Sequence, residues 1–296
     1  MTGALLAFTE RSLRRPVPDF VRAVAEELAD EGVRAVLFYG SNLRTGSADG
    51  VLDFYVLHEG PVERGIWPRV GYREFAHDGV TLRAKVATMT LATFARAAAA
   101  RTLDTTIWAR FVQPSALVWS ADARAAEEVV AAASAAAVSA ARFAAALGPG
   151  RGRPEDHWRA LFRATYAAEF RVEKRGRGDE IVAHDQARYA ELLPLAWKAA
   201  GVPFSSRAGM LAPSLAVSER ARLRSNWGRC RLAGKPLNLL RLLRAASTFE
   251  GAARYGAWKI ERHTGVPVRL TPWRERHPVL AAPGVLWRVW RERRAS

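Results

Sequence analysis

The segment from Val36 to Leu57, VLFYGSNLRTGSADGVLDFYVL, constrains the fold more than any other part of the chain. Val36-Leu37-Phe38-Tyr39 and Val51-Leu52-Asp53-Phe54-Tyr55-Val56-Leu57 are short, aromatic and β-branched, and Gly, Ser and Asn bound them. Both therefore read as buried strands. A carboxylate inside a buried strand is costly unless something answers its charge. Asp53 is the first residue to which a function attaches.

The surrounding pattern extends this pair into a unit. Phe20, Val21, Val24 and Leu28 lie at helical spacing between Pro18 and Glu31, and Gly32 ends that helix just before the first strand. RVGYREF and TLRAKVATM, joined by AHDG, read as a hairpin turning at Asp78-Gly79, so the sheet contains antiparallel pairs. LATFARAAAARTLDTTIWARF has helical spacing, and SALVW after Pro114 reads as a short strand or turn. Residues 1–120 are thus expected to form one unit of mixed sheet and helices. From Asp122 onward the period is helical, with Asp122 as cap of a helix running to Leu147 and Gly148-Pro149-Gly150-Arg151-Gly152 as the expected linker between domains. Further helices are expected at 155–173, 185–200, 218–224, 235–247 and 250–264. The fold class is α+β: an N-terminal sheet with helices, then a mainly helical domain over 121–296.

Composition sets limits on this reading. A chain of 296 residues that is 49% hydrophobic can bury a core and divide into two domains. The single cysteine, Cys230, excludes an internal disulfide and a cysteine metal cluster. With no signal-peptide pattern in the first residues, a cytoplasmic setting is expected. No run approaches the ~20 strongly apolar residues of a membrane span, since Val129 to Leu147 is mostly alanine. The six histidines, among them His184, His263 and His277, lack metal-ligand spacing.

The net charge of +16 is regional: residues 1–150 hold 16 Lys+Arg and 16 Asp+Glu, and residues 151–296 hold 29 and 13. The second half is therefore suited to an anionic surface, nucleic acid or acidic lipid, although an Ala- and Arg-rich composition can also follow from codon bias. The tail PGVLWRVWRERRAS sets Val285, Leu286, Trp287, Val289 and Trp290 beside Arg288, Arg291, Arg293 and Arg294. That is the pattern of an amphipathic helix lying on anionic lipid; the alternative is a helix docking its tryptophans onto the domain.

A Gly-Ser turn followed by a strand carboxylate has a chemical logic. Glycine lets backbone approach a triphosphate, the Ser hydroxyl and N–H groups hold phosphates, and the carboxylate holds Mg²⁺ against them. GSNLRTGSADGVLDFYV resembles the signature of the DNA polymerase beta-type nucleotidyltransferase superfamily, in which Gly-Ser precedes a strand bearing acidic residues. FYGSNLRTG and VLDFYVL, then LRAKVATMTLATF and TTIWARFVQPSALV, are similar in kind and order to elements of the mitochondrial-type CDP-diacylglycerol synthases, the phosphatidate cytidylyltransferases of translocator assembly and maintenance. The similarity covers about Leu37 to Val118 and weakens beyond it. KPLNLLRLLRAASTFEG and YGAWKIERHTGV look characteristic of a bacterial branch, with no role assigned.

The resemblance implies an Mg²⁺-dependent transfer of CMP from CTP to phosphatidate, giving CDP-diacylglycerol and pyrophosphate at an anionic membrane surface. It implies Tyr39, Gly40, Ser41 and Asn42 as nucleotide-binding residues, Asp53 as metal ligand, and Lys85 and Arg110 beside it as catalytic residues. Departures are visible. The superfamily's acidic pair stands at i and i+2, yet Val51 and Tyr55 flank Asp53 at those offsets, and Asn42 replaces the family's usual Gly. Asp49 can substitute for the second carboxylate or simply form a turn. Lys85 stands where a third carboxylate would deprotonate a hydroxyl; a phosphate monoester needs no such base and is better met by a cation. Lys85 can equally be an outward strand residue, and Arg110 a solvated or ion-paired helix residue. Two other functions stay open: a nucleotidyltransferase for a soluble acceptor, and a nucleic-acid-binding protein with a degenerate domain. No nucleic-acid motif is present, so no specific nucleic acid is expected.

Overall fold

The computed structural model describes residues 2–168, 177–248, 251–276 and 278–295, with some side chains in the later helices outside that description. The chain opens with α1 (Gly3–Leu13) and α2 (Asp19–Glu27), then β1 (Val33–Tyr39), the short α3 (Ser41–Thr45) and β2 (Leu52–His58). The hairpin β3 (Arg69–His77) and β4 (Val80–Thr90) follows, then α4 (Leu91–Ala98), α5 (Thr106–Phe111) and β5 (Ser115–Ser120). Next come α6 (Ala123–Leu147), α7 (Pro154–Ala168), α8 (Arg177–His184) and α9 (Gln186–Ala200). A small hairpin, β6 (Phe204–Arg207) and β7 (Met210–Pro213), precedes α10 (Val217–Thr248), α11 (Ala252–Thr264), α12 (Pro272–Arg276) and α13 (Pro278–Ala295). The α+β class expected from the sequence is what the chain adopts.

The sheet has five strands in the order β3-β4-β2-β1-β5. β2 and β4 are parallel and every other neighbouring pair is antiparallel. β1 and β2 are nearly all buried because apolar layers cover both faces. Val36, Phe38, Phe54, Val56, Leu82 and Val86 pack under α2 on one face, whereas Leu37, Tyr55, Leu57, Ala87 and Met89 pack under α4, α5 and α6 on the other. The hairpin turns at Asp78 and Gly79, whose φ values of 48° and 75° are those of a primed turn.

α6 is the axis of the second layer. Asp122 caps it, accepting from the Ala125 N–H at 2.7 Å and pairing with Arg34 at 2.9 Å. By length and composition this helix is apolar enough to cross a membrane, but 72% of its apolar window is buried inside the fold. Its alanines let neighbours approach closely: Trp108, Trp158 and Trp197 are fully buried around it. Trp197 Nε1 donates to the Ala141 carbonyl at 2.8 Å. The same core runs from Leu5 through Trp227 and Cys230, so it is continuous across residue 120. The segment expected as a linker is pinned instead, because Gly152 and Leu211 exchange backbone hydrogen bonds of 3.0 and 2.8 Å.

The helices expected at 185–200 and 250–264 are present as α9 and α11. The one expected at 155–173 is α7 up to Ala168, and 169–173 lie outside the described residues. The separate helices expected at 218–224 and 235–247 form a single helix, α10, which runs through Pro236. The basic tail is α13; Trp287 is 59% exposed with Arg291 over its ring at 4.9 Å. The side chains of Leu286, Val289, Trp290, Arg293 and Arg294 lie outside the described set, as does His277.

Candidate active site

The register of the sheet sets one row of side chains across all its strands. Ser115 pairs with Tyr39, Tyr39 with Asp53, Asp53 with Lys85, and Lys85 with Tyr72. Directly opposed residues share a face, so Asp53 stands between a tyrosine and a lysine on the α5 side of the sheet. Burial raises the Asp53 pKa by disfavouring the charged carboxylate, and the nearby charges of Lys85 and Arg110 oppose that rise.

Gly40 ends β1 with φ 94° and ψ −160°, a conformation essentially confined to glycine. A Cβ at this position would lie 2.7 Å from Asp53 Oδ2. The glycine therefore does two things: it turns the chain into α3 and it leaves space for the carboxylate. Ser41 follows, exposed, with its hydroxyl 3.3 Å from Asn42 Oδ1. Asn42 is buried and donates to the Ser47 and Asp49 carbonyls at 2.9 and 2.8 Å, which ties the loop after α3 closed. Its amide is committed to the loop itself. Asp49 is exposed and its N–H bonds to Ser47 Oγ at 3.0 Å, a turn contact.

α5 brings Arg110 onto the same face. Its Nη1 donates to Tyr55 Oη at 3.1 Å and Tyr39 Oη at 3.4 Å, and its guanidinium lies over the Tyr39 ring at 5.0 Å. Phe111 packs edge-on against Tyr55 at 5.2 Å and fixes that ring. Tyr39, Gly40, Asp53, Lys85 and Arg110, expected to act together, are thus assembled at one place. Ser41 sits beside them at the surface, and Asn42 faces the loop.

Next to Asp53 the same sheet face carries a cavity of about 180 Å³, with Tyr39, Tyr55, Lys85 and Arg110 on its wall. The opposite wall comes from the helical half: Asn238, Arg241 and Arg244 of α10. Arg241 donates to Asp104, to Thr106 Oγ1 at 2.9 Å and to the Trp67 carbonyl at 2.8 Å, and Arg244 donates to the Ile66 carbonyl. Asp104 in turn accepts from the Thr106 N–H at 2.7 Å. These arginines lie in the NLLRLLR segment that the sequence marked without a role. Their i, i+3 spacing places them on one helix face, but nothing local says what that face meets. Among the described residues no group of three or more His, Cys, Asp or Glu side chains gathers as a metal centre.

Neither the scan against protein-family models nor the search of curated proteins gives a match to this chain.

Proposed function

We propose that the chain is an Mg²⁺-dependent nucleotidyltransferase that moves CMP from CTP to the phosphate monoester of phosphatidate, working as a peripheral enzyme at an anionic membrane surface. The observation that carries this reading is the sheet row: a half-buried carboxylate between Tyr39 and Lys85, immediately behind the Gly40-Ser41 turn. A strand carboxylate beside a Gly-Ser turn is suited to holding a triphosphate and its metal. A lysine as its neighbour, in place of another carboxylate, suits a nucleophile that arrives already charged.

Asp53 fits one protein ligand of Mg²⁺, an ion that takes one or two carboxylates and fills its other places with water and substrate phosphate. Burial disfavours its ionised form, so a divalent cation alongside would be favourable. When bound, the metal supplies charge neutralisation along the triphosphate. The chain's own groups position and neutralise. Gly40 allows close backbone approach, and Ser41 offers a hydroxyl. Arg110, oriented by the Tyr39 and Tyr55 hydroxyls, presents a fixed guanidinium. An oxygen of the monoester bonds to the α-phosphorus, the bond from that phosphorus to the bridging oxygen breaks, and pyrophosphate departs. A phosphate monoester has a second pKa of about 6, so near neutral pH no proton need be removed, and Lys85 answers the incoming charge.

The membrane part of the reading is supported by α10. Leu232, Leu239 and Leu240 are 75%, 57% and 46% exposed, on a helix that also exposes Arg229, Arg231 and Lys235. Exposed leucines among cations suit the interface of an anionic bilayer. The test is purified protein with Mg²⁺, phosphatidate micelles and each of the labelled nucleotides in turn. Lipid-soluble label from CTP is expected. Absence of label from every nucleotide, or salt-sensitive nucleic-acid binding without transfer, would overturn the proposal.

A further inference from the structure

The cavity beside Asp53 is lined by Arg69, Lys85, Arg110, Arg241 and Arg244, and among the described residues no carboxylate lies on its wall. Arg69 reaches this wall from the edge of β3, but it is in register with Thr88 and so projects its side chain to the α2 face, beside His58. Asp104 pairs with Arg241, and Asp53 stands next to the exposed Lys85 across β2 and β4. Lys85, Arg110, Arg241 and Arg244 together give the hollow a positive potential that favours an anion. Its volume of about 180 Å³ is below the ~300–1,000 Å³ of pockets that enclose a drug-sized ligand. It suits a small anionic head. Ile66, Pro68, Val70 and Ala87 add apolar surface, suited to the organic part of an ester rather than to a free polyphosphate.

We propose that this cavity is a phosphate-monoester subsite, separate from the Gly40-Ser41 turn, in which Arg110 and Arg244 hold the acceptor's phosphate head beside Lys85. The assignment rests on the nucleotidyl-transfer reading and adds where the acceptor sits. It also gives the helical half a part in the chemistry: without α10 the cavity would lose the wall that carries Arg241 and Arg244. Lys85 lies at the junction, in register with Asp53 on one side and on the cavity wall on the other. Two phosphates would then meet across it.

Calorimetric titration separates the two subsites. Wild type, Arg244→Gln and, as a control on the other face of the sheet, Arg69→Gln are titrated with inorganic phosphate, with glycerol 3-phosphate, with monomeric dihexanoyl phosphatidate, and with CTP in Mg²⁺. Arg244→Gln is expected to weaken both organic monoesters by about tenfold or more, as loss of a charge-assisted hydrogen bond does, Arg69→Gln to leave them unchanged, and CTP affinity to stay within about threefold in both. Inorganic phosphate should bind more weakly than either organic ester, which distinguishes an ester subsite from a general phosphate site. Arg244 bonds to the Ile66 carbonyl, so Arg244→Lys and circular dichroism control for folding; Arg69 is exposed and spares the core. Equal weakening of CTP and monoester by Arg244→Gln, or no weakening by it, would overturn the subsite. Monoester binding without any nucleotidyl product would leave the subsite standing and remove the parent reading. Product formation that is indifferent to Arg244→Gln would do the reverse.

Discussion

Gly40→Ala tests the physical link between the turn and the carboxylate. Gly40 sits at φ 94° and ψ −160°, and a non-glycine residue held in that region costs about 1–3 kcal/mol. The added Cβ would stand 2.7 Å from Asp53 Oδ2, too close for real atoms, so the carboxylate must leave its rotamer at about 0.5–1.5 kcal/mol. Together the loss of stability should be about 2–4 kcal/mol, read from the midpoint of urea unfolding at unchanged slope. The control is Gly46→Ala: Gly46 has φ 67° with nothing near its missing Cβ, so it should pay only the left-handed backbone cost of about 1–2 kcal/mol. A double-mutant cycle isolates the clash. In an Asp53→Ala background the carboxylate is gone and Gly40→Ala should cost less, with a coupling of about 0.5–1.5 kcal/mol. Cytidylyl transfer should fall by about 10²-fold in Gly40→Ala, since displacing a reacting group by an ångström costs that much. A Gly40→Ala cost no greater than that of Gly46→Ala, together with zero coupling, would refute the argument that this glycine exists to seat Asp53.

Other perturbations follow from the same geometry. Asp53→Asn should abolish transfer. Because burial raises the folded pKa of Asp53 above its unfolded value, the folded state holds a proton that the unfolded state has released, and wild-type stability falls as pH rises through that window. In chelator, the Asn variant should therefore gain on wild type as pH rises from the ordinary carboxylate range near 4 toward neutrality; a gap independent of pH would remove the buried-carboxylate account. Lys85→Ala should lower kcat/KM by about 10²-fold or more, the cost of removing one preorganised electrostatic donor. Lys85→Asp should be worse still with phosphatidate, and an aspartate variant more active than alanine would contradict the anionic nucleophile. Asp104→Asn should cost about 3 kcal/mol in urea unfolding, near the low end for breaking one side of a buried pair, since Arg241 and Asp104 are only 18% and 7% exposed. A loss under about 0.5 kcal/mol, the range of neutral surface changes, would show that this pair does not dock α10 on the sheet.

Elements with a local cause were legible in the sequence. The apolar runs around Gly40 and Asp53, the Asp78-Gly79 turn, and Asp122 as a cap for the alanine helix each depend on residues a few positions apart. Helix α1 was missed although Leu5, Phe8, Thr9 and Leu13 are buried at helical spacing, because its first residues were weighed only as a possible leader. The β6–β7 hairpin was missed because FSSR is polar and short, and is held by its pairing with β7 and the contact of Gly152 with Leu211. The helices expected at 218–224 and 235–247 are one helix that runs through Pro236, although an interior proline removes one backbone hydrogen bond.

The site divides along the same line. Asp53 could be named because a carboxylate stands out inside an apolar strand run and the turn before it is adjacent in sequence, whereas Lys85 was named through the family resemblance; both lie on one face because side chains alternate along a strand. Asn42 was placed on the nucleotide because its neighbours are; its amide instead closes the loop through contacts with Ser47 and Asp49 that composition does not encode. Arg241 and Arg244 are harder still. Forty of the chain's 45 cations are arginine, and an arginine that lines a cavity has the same sequence signature as one that faces water. What distinguishes Arg241 is Asp104, 137 positions away. That contact exists only because α10, after crossing the continuous core, returns over the loop that carries Ile66 and Trp67. The charge excess of the second half therefore has two parts: cations on the surface, those on the exposed side of α10 among them, which the sequence suggested would face an anionic surface, and Arg241 and Arg244, which only the folded chain brings to the cavity.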